Sequence, residues 1–240
     1  MKKILVPALF WLVFWQAAAV LVGKALLLPG PALVAERLWS LGGTAAFWES
    51  AGLTLLRVFG GFAFGVILAV LLAAWTAASR WADWILSPAV RVVRAVPVVS
   101  FILLVLLWVN RDQVPGVVAA LMVLPVVWEN TVRGIRQTDR DLLELAAAYR
   151  FSLGKKLRLV YFPSALPYLA SACRTGLGLA WKAGVAAEVL CLPKKAVGTA
   201  IYQSKLYLET PDLFAWTVVV VALSLLLEWA LGKLLERVGR

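Results

Sequence analysis

Residues 55–78 read LLRVFGGFAFGVILAVLLAAWTAA. A bilayer crossing takes about 20 mostly apolar residues, and this run is long enough to make one. Lipid offers no partner to a free backbone N–H or C=O, so such a run must close its hydrogen bonds internally as a helix. Gly61 and Gly65 stand four apart, a spacing that lets a second helix approach closely. Arg80, Trp81 and Trp84 follow, the residue types that sit where a membrane meets water.

The rest of the chain repeats this pattern. Of 240 residues, 62% are hydrophobic and 15% charged, against about 25% charged in soluble domains. Mean hydropathy is +0.87. An ordinary soluble fold is excluded, and one all-α membrane domain with about six transmembrane helices is expected. The first runs from Ile4 to Val22, and its apolar character continues to Leu28. Ala17-Ala18-Ala19 resembles a signal cleavage site, but that continuation favours an uncleaved helix. Pro29-Gly30-Pro31 breaks it, and 32–41 reads as a short amphipathic segment at the surface. After 55–78 comes a semi-polar stretch, Asp83 to Arg94. Pro97 interrupts the pattern, and the third span is expected to continue through 98–109, followed by a fourth over 114–132, a fifth over 164–190 and a sixth to about Leu231. Thr210-Pro211-Asp212 starts the last with a capping hydroxyl, a proline and an acid. The chain divides into 1–46, a first helix plus the amphipathic segment; 47–231, the transmembrane core; and 232–240, a cytoplasmic tail.

The net charge of +11 is not a nucleic-acid patch, because it falls in short segments between apolar runs. Six crossings put both termini on one side. The segments on that side carry Lys2, Lys3, Arg80, Arg91, Arg94, seven basic residues between 133 and 158, Lys233, Arg237 and Arg240. That makes fifteen, against six on the other side. The richer side is cytoplasmic, so both termini are expected in the cytoplasm. Cys173 and Cys191 lie on one predicted helix, about 27 Å apart at about 1.5 Å per residue, so they cannot pair without breaking it. Histidine is absent, which removes the commonest metal ligand and general base.

The longest polar stretch is Arg133 to Arg158, and the cytoplasmic segment 139–167 that overlaps it reads DRDLLELAAAYRFSLGKKLRLVYFPSALP. Asp139 to Tyr149 is an amphipathic helix with acids in its first turn. Residues 151–154 make a corner. A second basic-apolar segment begins at Lys155 and is expected to close at Pro163 and Pro167. A cytoplasmic helix–corner–helix with apolar residues that no membrane face needs is suited to docking. This loop resembles the signature loop of permease subunits of type I ABC importers: Glu-Ala-Ala, a glycine some four residues on, then Leu-Pro. The nearest flavour is the nitrate/sulfonate/taurine group. Glu144 matches the glutamate, Ala146 the second alanine, Phe162-Pro163 the Leu-Pro, and Ala165-Leu166-Pro167 the AALP that often follows. Leu145 replaces the first alanine and Arg150 the glycine, so the corner is expected to shift to Ser152–Gly154. RAVP at 94–97 and AGVAAEVL at 183–190 extend the likeness, which runs from about Trp48 to Glu228.

The resemblance implies the type I importer permease fold with a coupling helix between spans four and five, inside a loop at 133–163. It implies a multi-pass place in the inner membrane of a prokaryotic cell, a homodimer, two cytoplasmic ATPase subunits and an extracytoplasmic binding protein. Coupling to the ATPase would fall to Asp141, Glu144, Leu145, Ala146, Ala147, Arg150, Ser152, Gly154 and Pro163. This chain would bind no cofactor itself; ATP and magnesium would sit on the partner. The sequence holds no G-x-x-x-x-G-K-[ST] run, consistent with a transport subunit that is not the ATPase. The implied substrate is a small organic or inorganic anion, or a vitamin precursor.

Ionisable groups within a span face the bundle interior or a cavity. Lys182, Glu188, Arg174 and Glu129 are the candidates for the translocation path. Lys182 either attracts an anion there or is a snorkelling or paired structural lysine. Glu129 and Arg174 are expected to pair across spans four and five. Ala172, Gly176, Ala180 and Gly184 form a smooth stripe for close helix packing. A membrane-embedded enzyme would need a polar catalytic cluster, and the acids are scattered. A stand-alone transporter would show paired repeats or broken helices, and no internal repeat is evident.

Overall fold

The structure is a computed structural model that describes residues 2–238, with side chains for residues 5–237; Arg240 lies outside it. Every described element is helical. They are α1 (Lys2–Val22), α2 (Pro31–Gly42), α3 (Ala45–Ala78), α4 (Arg80–Ala95), α5 (Val98–Leu106), α6 (Val114–Arg136), α7 (Arg140–Ala148), α8 (Leu153–Lys156), α9 (Phe162–Cys191), α10 (Val197–Leu206) and α11 (Thr210–Val238), with a π-helical segment at Leu157–Tyr161. Gly23, at φ +65°, ends α1, and Gly43 caps α2. Four helices, α1, α3, α6 and α11, are long and apolar enough to cross a membrane.

The third crossing is interrupted at Pro97, where the sequence puts the interruption, but more sharply than a continuing span would be. A straight span over 98–109 is not present. Instead α4 and α5 meet at a 103° bend. Proline at 97 cannot continue a helix from α4, and its ring holds Val96 extended, at ψ 131°. Nine residues of α5 rise only about 13 Å, under half of a hydrocarbon core of about 30 Å. α5 can therefore span only together with α4. The fifth predicted span, α9, has 30 residues but falls outside the apolar set. It lies along α6 and also touches α3, α10 and α11, so much of its surface meets protein rather than lipid.

The core lies along this central helix. Val58 and Phe62 of α3, Val123 and Val127 of α6, and Leu177 and Trp181 of α9 form one buried cluster. Lipid tails are as apolar as these side chains, so close van der Waals contact decides the packing. The glycines supply it. A Cβ at Gly176 would stand 2.5 Å from Val123, and one at Gly184 2.6 Å from Val58. The stripe read from the sequence is thus the face on which α9 meets α6 and α3. Gly61 and Gly65 meet Gly116 and Ala120 in the same way. Polar ties are few. Trp128 Nε1 donates to Thr76 Oγ1 at 3.0 Å between α6 and α3. Arg37 of α2 forms a two-bond ion pair with Asp212 at the start of α11, which keeps its guanidinium pKa above the usual range.

Candidate functional site

α6 ends at Arg136, and the chain turns into an exposed elbow. Asp139 caps α7 by accepting from the Asp141 backbone N–H at 2.9 Å. Ala146 is buried against the neighbouring helical segment, whereas Asp141, Leu142, Glu144, Leu145 and Ala147 all face outward. Leu145 is 53% exposed and Leu153 78%. Two leucines, Tyr149 and Leu153 therefore form an apolar ridge on the outermost part of a polar loop. α7 closes with the Phe151 N–H on the Ala146 carbonyl and the Arg150 N–H on the Ala147 carbonyl, both at 2.9 Å. That paired arrangement puts the residue between them in the left-handed region, a place usually taken by glycine. Here it is Arg150, at φ +48°.

The corner is therefore at Arg150 and has not moved to Ser152–Gly154 as expected. Ser152 caps α8, accepting from the Lys155 N–H at 3.5 Å, and Gly154 lies inside α8 in open space. The two hydrogen bonds across the turn hold Arg150 left-handed despite its Cβ. Arg150→Gly removes a steric cost of about 1–2 kcal/mol, partly offset by the greater backbone freedom of glycine in the unfolded chain. We expect the variant to protect the amides of 146–151 more strongly in hydrogen exchange; unchanged or weaker protection would contradict the strained turn.

The second arm also departs from expectation. Pro163 and Pro167 do not close it. The backbone stays helical from Leu153 through the π segment into α9. A proline removes one donor and crowds the carbonyl four residues back. The wider π turn just before Pro163 relieves that crowding, and the packing of α9 holds the remainder together. The elbow's second arm and the central helix are thus one rod.

At its far end that rod is tied down. Glu188 is wholly buried. The Thr54 hydroxyl donates to it at 2.9 Å, the Gly198 N–H donates at 3.0 Å, and Arg57 Nη1 lies 3.8 Å away. Thr54 Oγ1 also accepts from the Val197 N–H at 3.0 Å. Arg57 donates to the carbonyls of Lys194 and Lys195, and Asp112 accepts from the Lys194 N–H. One carboxyl thereby joins α3, α9 and α10. Thr54, Arg57 and Gly198 were missed from the sequence, although a threonine and an arginine three apart in an apolar helix were the available signal.

The four path candidates are not brought together. Glu129 pairs with Arg94 at 2.7 Å and with Arg133 at 3.7 Å. The expected pair with Arg174 is not formed among the described residues. α4 packs beside α6, and its last turn delivers Arg94 to Glu129. Glu129 borders a hollow of about 400 Å³ with Val96, Met122, Asn130, Thr175 and Leu179, where the α4–α5 bend meets α6 and α9. Arg174 borders a different hollow, beside Glu228, Lys233 and Glu236. Lys182 is exposed on α9, on the side away from the glycine stripe. Glu188 is enclosed, as described.

Comparison with known proteins agrees with this architecture. The chain is 35% identical over 234 residues to the riboflavin transport system permease protein RibX of Chloroflexus aurantiacus, covering 97% of this chain and 87% of that one. It is 24% identical to the taurine transport system permease protein TauC of Escherichia coli, covering 94% and 84%. Among solved structures, an amino acid ABC transporter superposes with a TM-score of 0.65 at 18% identity, covering 85% of this chain and 97% of that chain. The MetNI methionine ABC transporter superposes at 0.61 and 21% identity, covering 80% and 94%. These last two show the fold, that of type I ABC importer permeases. With residues 61–240 matching the model of the binding-protein-dependent transport system inner membrane components, the chain belongs to that family and is a transport subunit rather than an enzyme.

Proposed function

We propose that two copies of this chain form the translocation passage of an ATP-driven importer, with the elbow at 139–156 gripped by a separate cytoplasmic ATPase subunit on each copy. The single observation that carries this reading is the exposed apolar ridge of α7 and Leu153, joined through the short corner at Arg150 to an arm that runs unbroken into α9. Leu142, Leu145, Tyr149 and Leu153 cost free energy in water and gain it in a partner's cleft. A push on the elbow moves α9, and α9 carries Lys182 and packs on both α3 and α6. ATP and magnesium belong to the partner. The charge bias puts the elbow and both termini in the cytoplasm. An extracytoplasmic binding protein delivers the substrate, a small organic or inorganic anion or a vitamin precursor. The relatives' names support that class, and Lys182 is the cation available to attract an anion.

The test is the full transporter reassembled in liposomes with its ATPase and binding protein. Leu145→Glu places a charge where the cleft must be apolar. Stimulation of ATP hydrolysis by loaded binding protein should fall about tenfold or more, equivalent to about 1.4 kcal/mol of lost coupling. Lys233→Glu, a charge change on α11 outside the elbow, should leave it within about twofold. Wild-type stimulation in the Leu145→Glu complex would end the docking proposal.

A further inference from the structure

α4 has three distinct faces. Ala82, Leu86 and Val90 point into the core. Asp83, Ser87, Arg91 and Arg94 recur at helical spacing on a second face, toward α6. Trp81, Trp84, Ile85 and Val92 occupy a third, each more than 60% or nearly 80% exposed: 73%, 79%, 62% and 62%. The polar face lies between the core and the exposed apolar one. Opposite it, α6 contributes Glu129, Arg133 and Arg136. Together they enclose an open hollow of about 490 Å³.

Four guanidinium groups line this hollow against two carboxylates. Arg136 is paired with Asp83 at 2.7 Å, and Asp83 also accepts from Ser87 Oγ at 2.6 Å. Arg94 and Arg133 share Glu129. Arg91 has no ion-pair partner among the described residues. The hollow is therefore left with a surplus of two positive charges. Its planar forks suit a phosphate better than a lone ammonium would. The exposed tryptophans and aliphatic side chains decide what carries that phosphate. An amphipathic helix with basic residues on one face and Trp, Ile and Val on the next lies in the membrane interface. Basic pockets between helices on the cytoplasmic side suit acidic headgroups.

We propose that the hollow between α4 and α6 binds the phosphate headgroup of an anionic phospholipid of the cytoplasmic leaflet, with Arg91 as its principal contact and the acyl chains lying over Trp84 and Ile85. The site adjoins the α4–α5 bend, so an occupied hollow holds α4 in the interface while α5 stays free to move.

The chain, purified in a neutral detergent, is titrated with phosphatidylglycerol, with phosphatidylcholine and with inorganic phosphate, and bound lipid is counted by native mass spectrometry. Phosphatidylglycerol should bind at least about tenfold more tightly than phosphatidylcholine. Arg91→Gln should weaken it about tenfold, the loss of one charge-assisted contact. Arg158→Gln, an equal charge change on the elbow's second arm, should not. Should Arg91→Gln fail to fold, Arg91→Ser and the competition arm on the natural chain decide. Equal binding of both lipids, undiminished binding by the Arg91 variants, or displacement of the lipid by millimolar phosphate with equal affinity would each overturn the proposal. None of these outcomes depends on the ATPase or on transport.

Discussion

Glu188→Ala is expected to cost the folded chain about 3–5 kcal/mol, the range for leaving partners of a buried charged group uncompensated. The variant strands the Gly198 N–H and the Thr54 hydroxyl, and it takes from Arg57 one of its two neighbouring carboxylates, Asp112 at 3.6 Å being the other. Thr54 and Gly198 are themselves buried, so neither can turn to bulk water instead. The thermal midpoint in detergent should drop on the order of 10 °C. Glu188→Gln keeps the shape but turns one acceptor into a donor, so its midpoint should fall between. Thr54→Ala shares the same network, and the double variant should cost clearly less than the two single losses added. A loss below about 1 kcal/mol for Glu188→Ala would mean that the carboxyl is not the tie between α3, α9 and α10. The result would also bear on its role: a residue enclosed on every side anchors the outer end of the rod rather than lining a passage.

Gly61→Ala is the second large effect. The added methyl would stand 2.0 Å from the Gly116 carbonyl oxygen and 2.6 Å from its carbon. Both are backbone atoms, so no rotamer change relieves the clash and α3 must separate from α6. We expect a loss of about 3 kcal/mol, the upper end for forcing extra volume into a packed interface. Gly60 provides the control. It is the preceding residue of the same helix, and nothing lies within 4 Å of its Cβ position. Gly60→Ala should be neutral or stabilising by up to about 1 kcal/mol through helix propensity. Unfolding of the two variants in the same detergent checks this. Equal stability would show that the α3–α6 contact does not depend on the missing side chain.

Much of the architecture is legible along the chain. The spans at 55–78 and 114–132 are visible because lipid demands a continuous apolar surface. α7 is visible because its acids, leucines and alanines recur at helical spacing. The glycine–alanine stripe of α9 is visible because small residues four apart have few other uses in a membrane helix. Arg150 illustrates the boundary. Its sequence neighbours suggest that a turn lies nearby, yet an arginine argues against a left-handed residue. Only the two hydrogen bonds that close α7 decide the matter. Pro163 and Pro167 show the same limit. Local rules favour an end to the helix, and packing along α9 overrides them.

The pairings of charged groups lay beyond the sequence altogether. Counting residues along two helices places Glu129 and Arg174 at comparable depth, but depth is one coordinate out of three. The extended break at Ser79 leads α3 into α4, which packs beside α6 and gives Arg94 the carboxylate instead. Glu188 looked like a candidate for an open wall because it is an acid in a span; the register between α9, α3 and α10 surrounds it with donors. Periodicity reports which side of a helix avoids water or lipid, and that was set by the order of the residues alone. Which helix lies against that side, and at what rotation, follows from shape fitting among all of them at once, and this only the tertiary structure decided.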